Sequence, residues 1–318
     1  MRKLLSVLFC IVLLACTLLC GCTQTMQETQ NYDVVATVFP AYDFVRAIAG
    51  DALKIKMLIS PGSEAHGFTP TLDDLALVQS CDLFIYTGGE TDNWAKDQFA
   101  SGNLDTSRFK ALAMTDCVDL LPVPTATQTH EHDNEHDHDH DDEIWDEHVW
   151  TSPDNAVTLI SAFCDILCEL YPENADLFKT NATAYTAAIK AEESNMQTVI
   201  DNAENKLLVF ENRFPFTYFC EQFGLSHVAA FDGCGGNTEV SAATLDTLVQ
   251  TIKSNHIPCV LYLEFSRMET ADQLVAATGC TKREMHSYHN VTREDFENGV
   301  TYVDLMKRNT ETLKEALS

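Results

Sequence analysis

Basic residues are scarce in this chain. Only 20 Lys and Arg stand against 48 Asp and Glu, and the formal net charge over 318 residues is −28. Nucleic acid and anionic membrane surfaces are therefore poor partners, and cations are good ones. No His-Glu-x-x-His pattern occurs, which removes a common zinc-hydrolase signature, and no evident general base sits beside a candidate ligand. No Cys-x-x-Cys pair follows the first 22 residues, which argues against a thiolate metal site. After Leu19 no second apolar run is long enough to cross a bilayer, so the rest is expected to be soluble.

What the chain does have begins at its start. Arg2 and Lys3 precede an apolar stretch over 4–19, which ends in Leu19-Cys20-Gly21-Cys22 and then turns polar. This reads as a signal peptide over 1–21, and its end resembles a bacterial lipobox. The expected lipid acceptor is Cys22, with Cys16 as the alternative. Cleavage before Cys16 would leave apolar Leu18 and Leu19 at the mature end. Residues 22–31 then form a lipidated N-terminus and tether, and the body works outside the cytoplasmic membrane. Of twelve Cys, eight remain after Cys22. Most lie in apolar contexts and read as small core residues, with pairing undecidable from spacing.

The most informative stretch is 130–148. His130, His132, His136, His138 and His140 alternate with Asp and Glu, and almost nothing apolar intervenes. Neutral imidazole suits zinc, copper and nickel, while carboxylates offset the ionic charge. Such a tract cannot bury a core, and the expectation is a mobile loop over 125–147 that binds several ions weakly. His148 differs from these five. Trp145, Val149 and Trp150 flank it, so it can be packed and held rigidly.

Around this loop, strand and helix signals alternate. Strands are predicted over 33–38, 54–60, 82–87 and 110–114, with helices over 42–49 and 71–80. Helices follow over 153–170 and 173–203, the second carrying an apolar stripe from Phe178 to Ala203. The rhythm then restarts, with strands over 207–210, 227–231, 260–264 and 281–286 and helices over 216–223, 242–256, 270–278 and 301–317. The expected fold is α/β, with two Rossmann-like lobes, 32–152 and 205–318. Each lobe is a mostly parallel sheet flanked by helices. The helices of 153–204 join the lobes, the long one acting as a rigid connector. Ligands in such folds sit beyond the carboxyl ends of strands. His66, in Pro61-Gly62-Ser63-Glu64-Ala65-His66, follows a strand end directly.

Several segments together resemble one family. They are Thr37–Phe44, the Pro61…His66…Pro70 loop, Leu83–Gly89, Asp146–Trp150, Phe219…Phe223-Gly224-Leu225, Glu239, and Tyr302…Met306…Asn309. The sequence is similar to the zinc/manganese class (cluster A-I) of substrate-binding lipoproteins of bacterial ABC importers, and its acidic His-rich loop resembles the zinc-specific branch. The resemblance implies a metal in the cleft between two lobes, a cognate permease and ATPase as partners, and a monomer tethered by its lipid.

Of the family's four ligand positions, the first matches His66 and the second His148. The third, normally His or Glu, falls on Arg213, which cannot ligate a cation. The fourth, normally Asp or Glu, falls on His286. Three imidazoles plus water or one carboxylate would satisfy Zn2+ and favour it over manganese. Glu264 is the candidate carboxylate, or else the salt-bridge partner of Arg213. His289 is a rival of His286, while His227 and His256 read as structural or surface. Two other classes remain in view, a secreted zinc metallohydrolase on the same three His and a manganese-binding or adhesive protein of the same fold.

Overall fold

Short strands, several of them runs of Val, Ile, Leu and Phe, build two parallel sheets. The computed structural model describes residues 31–123, 144–231 and 239–318. The first sheet contains β1 (Val34–Ala36), β2 (Ile55–Met57), β3 (Leu83–Tyr86) and β4 (Lys110–Ala113), in the order β2-β1-β3-β4. The second contains β5 (Leu207–Phe210), β6 (Ser226–Ala229), β7 (Cys259–Tyr262) and β8 (Thr281–Glu284), in the order β6-β5-β7-β8. Every strand pair is parallel. The two sheets therefore share one topology. In each, the first and third strands lie side by side at the point where the winding reverses, the usual place for a ligand.

Helices cover both sheets. In the first lobe these are α1 (Phe39–Ala49), α2 (Leu72–Ser80) and α3 (Asn93–Ala100). Thr71 caps α2 in a reciprocal box with Asp74, as a Thr three residues before an acid allows. Next come α4 (Pro153–Leu170) and α5 (Ala175–Asp201). Ser152 caps α4 and Pro153 opens it, where a missing N–H costs nothing. The 27 residues of α5 span about 40 Å. Phe178, Ala182, Ile189, Met196 and Ile200 are its buried stripe. The stripe ends at Ile200 in the last turn. The second lobe adds α6 (Thr217–Phe223), α7 (Ala242–Ser254), α8 (Glu269–Thr278), α9 (Arg293–Glu297) and α10 (Tyr302–Ala316).

One continuous core joins the lobes. Phe39, Phe44, Trp150, Phe163, Phe178, Tyr288 and Tyr302 are all buried within it. Trp150 Nε1 donates to Ser287 O at 2.9 Å, and Tyr302 donates its hydroxyl to Trp150 O at 2.7 Å. Among the described residues, Cys81, Cys117, Cys164, Cys168, Cys220, Cys259 and Cys280 are unbridged, and most are buried. No described helix is long and apolar enough to cross a membrane. Cys16, Cys22, Cys234 and the five loop His lie outside the described residues.

Candidate metal centre

Three imidazoles meet between the sheets. One ring nitrogen each of His66, His148 and His289 lies within 4.8 Å of the other two. Ring centroids are 4.8 Å apart for His66 and His289, 5.3 Å for His148 and His289, and 5.7 Å for His66 and His148. Tetrahedral zinc with Zn–N bonds near 2.0–2.1 Å sets its ligand nitrogens about 3.4 Å apart. A small inward movement of the rings suffices to reach that spacing.

His66 arrives on the loop after β2. Asn290 fastens this loop by donating through Nδ2 to Ser60 O and Ser63 O, both at 2.8 Å. Gly62 N adds a 2.7 Å bond to Val291 O. The residue beside His289 therefore also sets the height of His66. His148 precedes the tight turn Val149–Thr151 and is buried against Trp150. His289 follows β8 on a tight loop and is buried, and its carbonyl accepts from Phe39 N at the start of α1 at 3.2 Å.

A carboxylate stands behind each of the first two rings. His148 Nδ1 lies 2.7 Å from Asp146 Oδ1, which also accepts from His148 N at 2.9 Å. Asp146 Oδ2 accepts from Thr217 Oγ1 at the head of α6. Burial pushes the Asp146 carboxyl up, but the His148 ring and these hydrogen bonds outweigh it and hold the group below its ordinary range. His148 therefore gives its Nδ1–H to Asp146 and keeps Nε2 for a metal.

The second carboxylate acts through a hydroxyl. Thr91 Oγ1 donates to Glu147 Oε1 and lies 3.2 Å from His66 Nδ1. Thr91 N donates to Glu147 Oε2 at 2.9 Å. The Thr91 hydroxyl has one proton and spends it on Glu147, so toward His66 it accepts. His66 is thereby fixed as its Nδ1–H tautomer, with Nε2 as the lone pair. The next residue, Asp92, is anchored by its Oδ2, which accepts from Thr37 Oγ1, Thr87 N and Thr87 Oγ1. Gly89 is required here, because a Cβ on it would fall 2.2 Å from Glu147 Cβ. Two adjacent acids, Asp146 and Glu147, thus stand behind two of the rings.

Thr91→Val keeps the shape of Thr91 and removes the relay. Loss of an outer hydrogen-bond partner of this kind weakens metal binding by about 10–100-fold. The expected result is a drop of that size in zinc affinity, with Thr91→Ser restoring it. A valine variant that binds zinc as the wild type does would show that Thr91 does not position His66.

His66 and His289 are held toward their neutral form. Burial, then the neighbouring His148 and the Arg213 charge, lower the pKa of His66 to about 3. Burial, then His66, His148 and Arg213, hold His289 well below the ordinary 6.5. The unfolded chain takes up these protons near pH 6.5 and the folded chain does not. Apo-protein stability is therefore full above about pH 6.5 and is lost as the pH falls toward the folded values. Between pH 7 and 5 the wild type should lose more denaturant resistance than a His66→Asn/His289→Asn variant. Equal losses would place the pH dependence elsewhere.

The structure departs from expectation at three places. His286 does not join the trio. Its Nδ1 accepts from Tyr288 N at 2.9 Å, and its backbone is clasped by Asn309, through His286 N to Asn309 Oδ1 and Asn309 Nδ2 to His286 O, both at 2.8 Å. Tyr288 sits at φ +65°, and this left-handed turn separates the directions of His286 and His289. Glu264 does not reach the trio. It accepts from Ser287 N at 2.8 Å and from Ser287 Oγ, and its Oε1 is 3.9 Å from His286 Nδ1. Arg213 Nη1 lies 3.6 Å from Glu64 Oε1 on the His66 loop, rather than on Glu264. Of the two lesser histidines, His227 stacks on Phe214 at 3.5 Å. Residue reading missed Thr91, Asn290 and the roles of Asp146 and Glu147. Their only signal was the Asp-Glu pair directly before His148.

The fold and sequence are similar to those of known metal-binding proteins. The family described as zinc-uptake complex component A, periplasmic, matches residues 34–316. The zinc-binding lipoprotein AdcA of Streptococcus pneumoniae TIGR4 is 28% identical over 297 residues, 93% of this chain. This chain spans 58% of that relative's length. The high-affinity zinc uptake system protein ZnuA of Bacillus subtilis strain 168 is 28% identical over 313 residues, 96% of each chain. The Zn(II)-bound ZnuA-like domain of Streptococcus pneumoniae AdcA superposes with a TM-score of 0.74 at 26% identity, covering 90% of this chain and 99% of that one. With two parallel sheets, an imidazole trio between them and a match from the first strand to the last helix, this chain belongs to the periplasmic zinc-uptake component A family.

Proposed function

We propose that this protein captures one Zn2+ outside the cytoplasmic membrane and delivers it to an ABC permease and its ATPase. The observation that carries the reading is the convergence of His66, His148 and His289. Three neutral nitrogen donors suit zinc better than manganese, a harder ion that prefers oxygen. The names of the relatives, zinc-binding lipoprotein and high-affinity zinc uptake protein, support the same cargo. A transport role fits better than hydrolysis. Glu147 and Glu264, the nearby carboxylates, are turned toward Thr91 and Ser287 rather than toward an attacking water. The chain is read as a monomer held to the membrane by a lipid on Cys22.

The His/Asp tract is read as a separate store of weak sites that concentrates zinc near the cleft. Deleting residues 130–143 while keeping His148 tests this division. Calorimetry with Zn2+ should show the weak equivalents gone and one tight equivalent kept. Loss of the tight equivalent from a folded deletion protein would mean that the tract supplies a primary ligand.

A further inference from the structure

The loop that carries His66 is gripped from the other lobe. Ser60-Pro61-Gly62-Ser63 is a tight turn, closed by Ser63 N donating to Ser60 O at 3.1 Å. Pro61 at its second position and Gly62, at φ +81°, at its third suit the type II form, which favours glycine there. His66 follows on the same loop.

Asn290 holds both ends of that turn. Its Nδ2 donates to Ser60 O and Ser63 O, and its Oδ1 accepts from Val291 N, all at 2.8 Å. Gly62 N adds the 2.7 Å bond to Val291 O. The turn follows β2 of the first sheet, whereas Asn290 follows β8 of the second. Asn290 is 2% exposed and stands next to His289 in the chain. Of the short side chains, only an amide offers two N–H donors and an acceptor together. An ionised Asp has no donor, and Ser has a single O–H. A residue that merely filled this space would not need to be an amide.

We propose that Asn290 is a positioning residue for metal capture, one that sets the spacing of the His66 and His289 rings across the two lobes. Those ring centroids are 4.8 Å apart. His289 and the clasp share one stretch of backbone, so the His66 turn cannot drift from His289 without breaking buried hydrogen bonds. Thr91 determines which nitrogen of His66 faces the metal, and Asn290 determines where the ring stands. This rests on the zinc reading above.

Asn290→Ala and Asn290→Asp test the clasp in the full chain. Asp nearly keeps the shape of Asn290 and sets an acceptor against two carbonyls, so its effect should equal or exceed that of Ala. Competition titrations should show the tight zinc equivalent weakened by about 10–100-fold, the range for loss of a residue that orients a ligand. The second measurement is proton magnetic resonance of the Co2+-loaded protein, in which ring N–H protons of bound imidazoles are shifted far from the rest. Each signal is assigned by its loss in the matching His→Ala variant. In Asn290→Ala the His66 signal should move or vanish while the His148 signal stays. A residue that only stabilises the fold would lower the melting temperature and leave both signals in place. Unchanged zinc affinity in both variants would overturn the proposal, and so would weakened affinity with an unmoved His66 signal. Either outcome leaves the zinc site standing. Failure of the wild type to form any one-to-one cobalt or zinc complex would overturn the zinc reading itself.

Discussion

Replacing His289 by alanine should weaken zinc binding by two to three orders of magnitude, while His286→Ala should leave it nearly unchanged. The two residues are three apart in one loop, and they carry opposite expectations because the backbone turns between them. His289 presents its ring to His66 and His148. His286 spends Nδ1 on Tyr288 N and is clamped through its backbone by Asn309. A complete zinc ligand set is worth roughly 10–16 kcal/mol, and removing one imidazole of three forfeits about 3–4 kcal/mol of it. At about 1.4 kcal/mol per factor of ten, that is a loss of a few hundredfold. Calorimetry with a competing chelator measures both variants. A His286→Ala protein with the larger loss would return the assignment to the strand-end residue.

The second large effect concerns the joint between the lobes. Asp43 on α1 is fully buried. It accepts from Arg46 and from the Tyr185 hydroxyl of α5, and Tyr302 N at the start of α10 donates to it at 2.8 Å. One carboxylate thus fastens three helices from both halves of the chain. Burial raises its pKa against the pull of Arg46, Tyr185 and Tyr302. Asp43→Ala strands a buried hydroxyl, a buried N–H and a guanidinium together. Removing one partner from such a buried set costs about 3–5 kcal/mol. For a chain of this size the melting temperature should fall by about 10 °C. A fall of only a degree or two would mean that the three helices are held by packing alone.

The fold was largely legible because its strands and helices carry strong local patterns. Each predicted strand lies within a few residues of an observed one, since the central strands, buried on both faces, read as apolar runs. Helix α3 was not anticipated. Its sequence, Asn-Trp-Ala-Lys-Asp-Gln-Phe-Ala, has little apolar periodicity, and Ala95 is its one fully buried residue. The five-residue α9 is too short to carry any period. At the site, His66 and His148 were legible from strand-end position and from flanking Trp and Val. The choice between His286 and His289 was not, because it depends on a left-handed Tyr288 that no local preference announces. The Thr91 relay was equally hidden. It joins residues 56 positions apart through a buried hydroxyl.

The chemistry of the trio suits the zinc cargo proposed above. Burial favours the unprotonated form of His66 and His289, while Asp146 and Glu147 stand behind the rings as hydrogen-bond acceptors. The site keeps nitrogen donors oriented by outer acceptors, an arrangement that zinc accepts.

The central claim is that one zinc ion is held by His66, His148 and His289. Crystals of the protein loaded with one equivalent of Zn2+, measured on both sides of the zinc absorption edge, locate the ion directly. The account predicts a single strong anomalous peak within bonding distance of one nitrogen from each of these three rings, with His286 still turned toward Tyr288. A peak bonded to His286 or Glu264, or no peak between the lobes, would contradict it.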